Sequence, residues 1–185
     1  AKSTELSLLG NRYVLGEGFS IATQASQRDV EDNLRWISEA RRQADWVVVS
    51  VHCHEFGGPT LLTAGSRAEL EETADFVTKF AHQAIDAGAD IFVSHGPHFP
   101  LGIEIYKGKP IFYSVGNLIF QNETVGFFPA DAYERFDLGL KATPSDFLDA
   151  RTNGGKKGHP SDPAYWENMF AVCEFGNQKL KEIRV

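Results

Sequence analysis

The stretch VVVSVHCHEFGG, residues 47–58, runs as an apolar strand and then places His52, Cys53, His54 and Glu55 where the chain must leave a sheet. A second group, SHGPH, sets His95 and His98 around a Gly-Pro pair immediately after the apolar run IFVS. Four of the six histidines therefore fall in two clusters, each following a predicted buried strand. Residues two apart on an extended chain share a face, so His52 and His54 point together while Cys53 points away. The Gly-Pro turn can bring His95 and His98 towards one point. Sites in open α/β sheets form at the carboxyl ends of strands, so the clusters converge if the two strands are neighbours.

Converging imidazoles suit a borderline transition metal such as zinc, manganese or iron, which neutral nitrogen binds at about 2 Å, often with a carboxylate completing the shell. The candidate ligands are His52, His95 and His98. His54 and Glu55 are the candidate catalytic residues, and Glu55 is also the nearest carboxylate. A lone histidine at a strand end is as often a hydrogen-bonded surface or core residue as a ligand. Two clusters at two strand ends are what favour a polar functional site. Cys53, on the opposite side of its strand, reads as a small buried hydrophobe. His82 lies beside apolar helical positions and His159 in a Gly/Pro loop, so both read as structural or exposed. Asn117 in YSVGNLIF follows a strand and a glycine, and reads as a turn residue tolerating a left-handed backbone rather than as a group reaching into the site.

The elements that must position these groups are legible from periodicity. Val30, Leu34, Ile37, Ala40 and Ala44 repeat at helical spacing, with Ser26 as the N-cap. DWVVVSV follows as an unbroken apolar run, which suggests a strand covered on both faces. Ser66 with Glu69 three residues on predicts the cap of a second helix through Leu70, Ala74, Val77, Ala81 and Ile85, stopping at Gly88. IFVS is then the next strand, making a parallel strand-helix-strand unit. GIEIY and IFYSVG predict a hairpin joined by Lys107 to Pro110, and FAVCEF with LKEIRV a second hairpin. Residues 1–27 read as connecting structure with one edge strand, and 121–168 as a long excursion with short helices. The expected class is α/β: a mixed sheet with flanking helices and C-terminal hairpins, in one domain over 1–185.

Composition narrows the function classes. The 185 residues, 42% hydrophobic and 23% charged, are those of a globular domain with a substantial core. A net charge of −7 argues against nucleic acid or anionic lipid as a partner, since those surfaces need clustered Lys and Arg. Cys53 and Cys173 make no disulfide scaffold. No apolar run approaches the roughly 20 residues that cross a bilayer, and AKSTELSLLG lacks the apolar region of a signal peptide. The chain opens without Met and stops on a strand, so it reads as an excerpt of a longer protein. No Walker loop, Rossmann glycine fingerprint, G-x-S-x-G elbow or Cys-x-x-Cys site is present.

ADWVVVSVHCHE, then AIDAGADIFVSHGPHFPLGIEIYKGKPIFYSVGNLIF, then the closing strand pair, resemble the capsule-synthesis CapA family, associated with poly-γ-glutamate biosynthesis. The resemblance covers about 28–121, with weaker support from 169–185. Family members commonly read His-Trp-Gly at the first cluster and Gly-His-His-Pro-His at the second; this chain has HCHE and SHGPH instead, keeping His52, His95 and His98. The resemblance implies a partial calcineurin-like metallophosphoesterase fold, in which these three match metal-binding histidines and His54 is an additional or alternative ligand. It also implies an aspartate pair and an asparagine-histidine element upstream, absent from residues 1–27, so that this chain carries part of the site.

Three readings follow. One is a CapA-like role in making or exporting an anionic γ-glutamyl polymer, with the cluster holding a divalent metal (manganese, zinc or iron) or an acidic group. The second is a metal-dependent phosphoester hydrolase, and the third an interaction module with a decayed site. The resemblance implies a cell-surface or extracytoplasmic, membrane-associated parent protein.

Overall fold

A computed structural model describes residues 4–16, 23–57, 73–177 and 179–185. The first helix, α1 (Gln27–Gln43), starts where its cap is placed: the Ser26 hydroxyl accepts the Asp29 amide at 3.5 Å. Arg41 and Arg42 sit in its last turn, against the negative end of the helix dipole. Strand β3 (Val48–His52) follows and pairs in parallel with β4 (Ile91–His95), from Val48 opposite Ile91 to His52 opposite His95. Between them runs α2 (Asp75–Asp86). It starts later than the sequence suggests, after Ala74, because Thr73 bridges antiparallel to Phe56 and so holds an extended backbone. Ser66, Glu69 and Leu70 lie outside the described residues. Gly88 ends the helix as expected, with φ of +120°.

Strands β5 (Ile103–Tyr106) and β6 (Lys109–Phe112) form the first predicted hairpin. Lys107 and Gly108 both take positive φ, 51° and 76°, as a two-residue type I′ connection requires. That short turn leaves Pro110 inside β6, opposite Ile105, rather than in the connection. The sheet order is β3-β4-β6-β5, parallel except for β5, which is the mixed sheet expected.

Helices α1 and α2 pack on one face of this sheet. Ile37, Val77, Ala81, Ala84 and Ile85 bury against Phe92 and Ile111, with Val49 and Val51 partly buried beside them. The other face of β3 is open among the described residues. Val48 is 58% exposed, and Ser50 and His52 are exposed with it. The strand covered on both faces is therefore not observed. Apolar side chains on both sides of β3 produced the unbroken run, but only one side meets the helices.

The second predicted hairpin, β7 (Val172–Gly176) with β8 (Lys179–Arg184), is a separate two-stranded sheet that flanks the open face. β8 packs against β6, and the Phe175 ring meets Trp46 at 4.8 Å between centroids. The N-terminal residues differ from expectation. They form two exposed antiparallel strands, β1 (Glu5–Leu8) and β2 (Asn11–Val14), turning at Leu9-Gly10 with positive φ at both positions. The excursion over 121–168 carries short helices: α3 (Ala130–Glu134), α4 (Pro144–Thr152) and a 3-10 turn (Pro163–Tyr165). Thr143 and Asp146 form a reciprocal capping box on α4, and the buried Phe147 collects the rings of Phe128, Tyr133 and Phe136.

Candidate functional site

The parallel register sets His52 and His95 side by side at the carboxyl ends of β3 and β4, with their Nδ1 atoms 2.8 Å apart. Beyond them the Cys53 amide donates to the His95 carbonyl at 2.8 Å, and the chain after β4 crosses that backbone at Gly96. Gly96 has φ of +132°, and a Cβ there would lie 2.3 Å from the Cys53 carbonyl oxygen, so only glycine allows the crossing. His54 shares the face of His52 as two-residue spacing requires, and their Nε2 atoms are 2.9 Å apart. His98 follows, its ring 5.3 Å from that of His54. At the other end of the row, the Ser50 hydroxyl lies 3.2 Å from His95 Nε2. The four imidazoles thus form a row, His95, His52, His54, His98.

A neutral imidazole carries one N–H, so the contacts restrict where protons sit. In one arrangement Ser50 donates to His95, His95 to His52 through the Nδ1 pair, and His52 to His54 through the Nε2 pair. In the other, every donor and acceptor reverses. Passing from one to the other moves a proton along the row. At His54 and His95 the neutral form is favoured. Burial, then the His52 and His98 charges, hold His54 below the ordinary imidazole value, and burial, then His52, does the same at His95.

His98 is fixed differently. Its backbone is left-handed, with φ of 70°, an uncommon conformation for a residue with a Cβ. Asn117 holds it twice: the side-chain amide donates to the His98 carbonyl at 2.9 Å, and Oδ1 lies 2.8 Å from His98 Nδ1. An amide oxygen only accepts, so Nδ1 carries a proton, and in the neutral ring the lone pair is on Nε2. Asn117 therefore reaches into the site, contrary to its reading as a turn residue alone. The turn itself is present, in Gly116 with φ of +78°.

The donor set suits a divalent metal in type, since neutral imidazole is the ligating form. Ligand nitrogens around one tetrahedral ion sit about 3.3 Å apart, whereas the close pairs here are at hydrogen-bond distance. As the side chains stand, no group of three or more His, Cys, Asp or Glu among the described residues is arranged to hold an ion. Glu55 is exposed, its amide donating to Cys53 Sγ at 3.4 Å, and no hydrogen bond or ion pair among the described residues joins its carboxylate to the histidines. Cys53 packs against the core on the other side of the strand, as expected. Cys53 and Cys173 are both free thiols.

The two remaining histidines are structural. His82 on α2 pairs with Glu104 at 2.8 Å and stacks on Tyr106. His159 sits 2.9 Å from the Asn122 amide and packs on Phe120, which packs in turn on His98. Beside the row, a cavity of about 760 Å³ opens between the sheet face at Ile91, Val93 and Phe112 and the segment at Phe170 and Cys173, with His52 and His95 among its lining residues. Ser50 is the site residue that the sequence reading does not name, and Asn117 the one it assigns to the turn. Their signals were local: the alternation with His52 for Ser50, and a polar residue after a strand-end glycine for Asn117.

A helix-flanked mixed sheet with histidines gathered at the carboxyl ends of its parallel strands is of the metallophosphoesterase-like fold. Within that class the chain belongs to the capsule-synthesis CapA family: the family described as "Bacterial capsule synthesis protein PGA_cap" matches residues 11–122. Among curated relatives, the uncharacterized protein y4sH of Sinorhizobium fredii is 34% identical over 186 residues, covering 97% of this chain and 38% of that protein. The PGA biosynthesis protein CapA of Bacillus subtilis is 36% identical over 118 residues, 62% of this chain and 28% of that protein. A probable polyglutamine synthesis accessory protein of Mycobacterium tuberculosis is 34% identical over 110 residues, 59% of this chain and 26% of that protein. The chain thus spans 38% of the length of the first of these relatives, and less of the others.

Proposed function

We propose that this chain is part of a CapA-like protein that acts in bacterial capsule or poly-γ-glutamate biosynthesis outside the cytoplasm, and that its strand-end histidines form a divalent-metal site. Family membership and the names of the relatives support the biosynthetic role. The gathering of four imidazoles at adjoining strand ends is the observation that carries the site, and an ion would require the close pairs to open from hydrogen-bond to ligand spacing. His52, His95 and His98 would hold manganese, zinc or iron, and His54 is left to accept or return a proton. Such an ion would supply a Lewis acid for a carboxylate or phosphoryl oxygen. No described helix is long and apolar enough to cross a membrane.

The metallophosphoesterase-like fold favours a second reading of the same site, phosphoester hydrolysis, with His54 protonating the leaving oxygen and Glu55 as the nearby carboxylate.

Elemental analysis and zinc titration of the protein test the site. One ion per chain is expected, with His95→Ala losing it and His82→Ala retaining it. No stoichiometric metal in the wild type, or equal metal in both variants, would remove the reading. A generic aryl phosphate with manganese or zinc then separates the chemistries: turnover lost in His95→Ala favours the hydrolase. An unaltered extracellular anionic polymer in a deletion strain would count against the biosynthetic role.

A further inference from the structure

The excursion over 121–168 ends on Asn168, outside the family match, and Asn168 returns to the site. Its Oδ1 accepts the Asn117 amide at 2.7 Å. Its own amide nitrogen faces the Trp166 carbonyl at 3.4 Å, which orients the oxygen towards Asn117. Trp166 is tied back in turn, its indole N–H donating to the His159 carbonyl at 2.8 Å, and the Met169 amide reaches the Val115 carbonyl at 3.3 Å. The approach depends on Gly116, where a Cβ would lie 2.6 Å from Asn168 Oδ1. Asn168 therefore clamps the turn that carries Asn117, and Asn117 clamps both the backbone and the ring of His98.

We propose that Asn168 is a positioning residue for His98: through Asn117 it holds the neutral imidazole in the Nδ1–H tautomer, which leaves the lone pair on Nε2. Outer partners that fix the tautomer of a histidine ligand are worth roughly 10–100-fold in metal affinity. The metal consequence rests on the site proposed above; the tautomer consequence does not.

The test is nitrogen-detected NMR of the imidazoles at about pH 8.5, some two units above the ordinary imidazole value, where rings are neutral. The wild type should show His98 as a single Nδ1–H tautomer. Asn168→Ala should give a tautomer mixture, and Asn168→Asp, which keeps the accepting oxygen, should restore the single form. Asn168→Ser keeps a small polar side chain too short to reach Asn117, and carries the test if the alanine variant does not fold. Zinc titration of the same proteins should show binding weakened about 10–100-fold in Asn168→Ala and Asn168→Ser and recovered in Asn168→Asp. A wild type that binds no zinc, with the tautomer still responding to Asn168, removes the metal reading and leaves the positioning role standing. A single His98 tautomer retained in a folded Asn168→Ala or Asn168→Ser protein overturns the proposal.

Discussion

His52 and His95 close a parallel strand pair nitrogen to nitrogen, their Nδ1 atoms 2.8 Å apart and their rings 4.8 Å between centroids. The contact lets each neutral ring satisfy the other, and a proton gained at His52 repels one at His95. His52 is also the neighbour through which His54 joins the row. In the metal-free protein, His52→Ala should therefore raise the pKa of both His54 and His95 towards the ordinary value. The rise is partial, since burial is the larger cause of each depression and stays in place. NMR titration of the ring protons reads both shifts; unchanged midpoints would mean that the row is not electrostatically coupled.

Gly96 sets how closely the two strand ends approach. A methyl group there meets the Cys53 carbonyl at 2.3 Å and the backbone must keep φ of +132°, so clash and strain add. Gly96→Ala should cost about 2–5 kcal/mol in urea unfolding. A loss within about 0.5 kcal/mol, as at an ordinary surface position, would show that the crossing has room to relax.

What could be read in the sequence was local or periodic. The strand ends that carry His52 and His95 follow apolar runs, and the shared face of His52 and His54 follows from two-residue spacing. The Ser26 cap and the Gly88 stop rest on single-residue chemistry. Of the features the sequence reading placed differently, two are decided by partners distant in the chain and one by an atypical turn. Val48 and Val49 are equally apolar, and only tertiary packing decides that Val49 meets the helices while Val48 stays exposed. Asn117 carries a local cue, a polar residue after a strand-end glycine, but reads as a turn residue until its side chain is seen to hold His98, 19 positions earlier. The N-terminal hairpin turns on Leu9-Gly10, without the Asn or Asp that marks most such turns.

Tyr113 and Glu104 make a second test, away from the histidine row. The Tyr113 hydroxyl donates to Glu104 Oε2 at 2.5 Å, while His82 occupies Oε1. Burial, then this bond, pushes the phenol well above its ordinary value, and the Tyr113 bond is the largest cause that lowers Glu104. Tyr113→Phe should cost about 1–2 kcal/mol, reduced by the partial exposure of Glu104, and should raise the Glu104 pKa. Carbon-detected titration of the Glu104 carboxyl checks this; an unchanged midpoint would mean that solvent replaces the phenol without loss.

Asp90 ties three elements together at the opposite end of the sheet from the histidines. Its side chain is 4% exposed, and Oδ2 accepts from Arg41 at 2.7 Å and from the Val47 amide at 2.9 Å, while Oδ1 takes Lys109. Burial alone would raise its pKa, but the Lys109 bond, the Val47 amide and the two cationic charges outweigh it, so the folded value lies below the ordinary one. A depressed folded pKa gives stability that is fully present above the unfolded value of about 3.9 and is lost as pH falls through the folded value. Asp90→Ala leaves two cations and a buried amide without their acceptor and should cost about 3 kcal/mol at pH 7, at the low end for a broken buried pair because both cations keep some solvent contact. The cost should shrink as pH falls below about 4, since the wild type loses the same interactions there. Urea unfolding of both proteins at neutral and acid pH measures it, and a difference independent of pH would show that the Asp90 carboxylate charge contributes nothing to the fold.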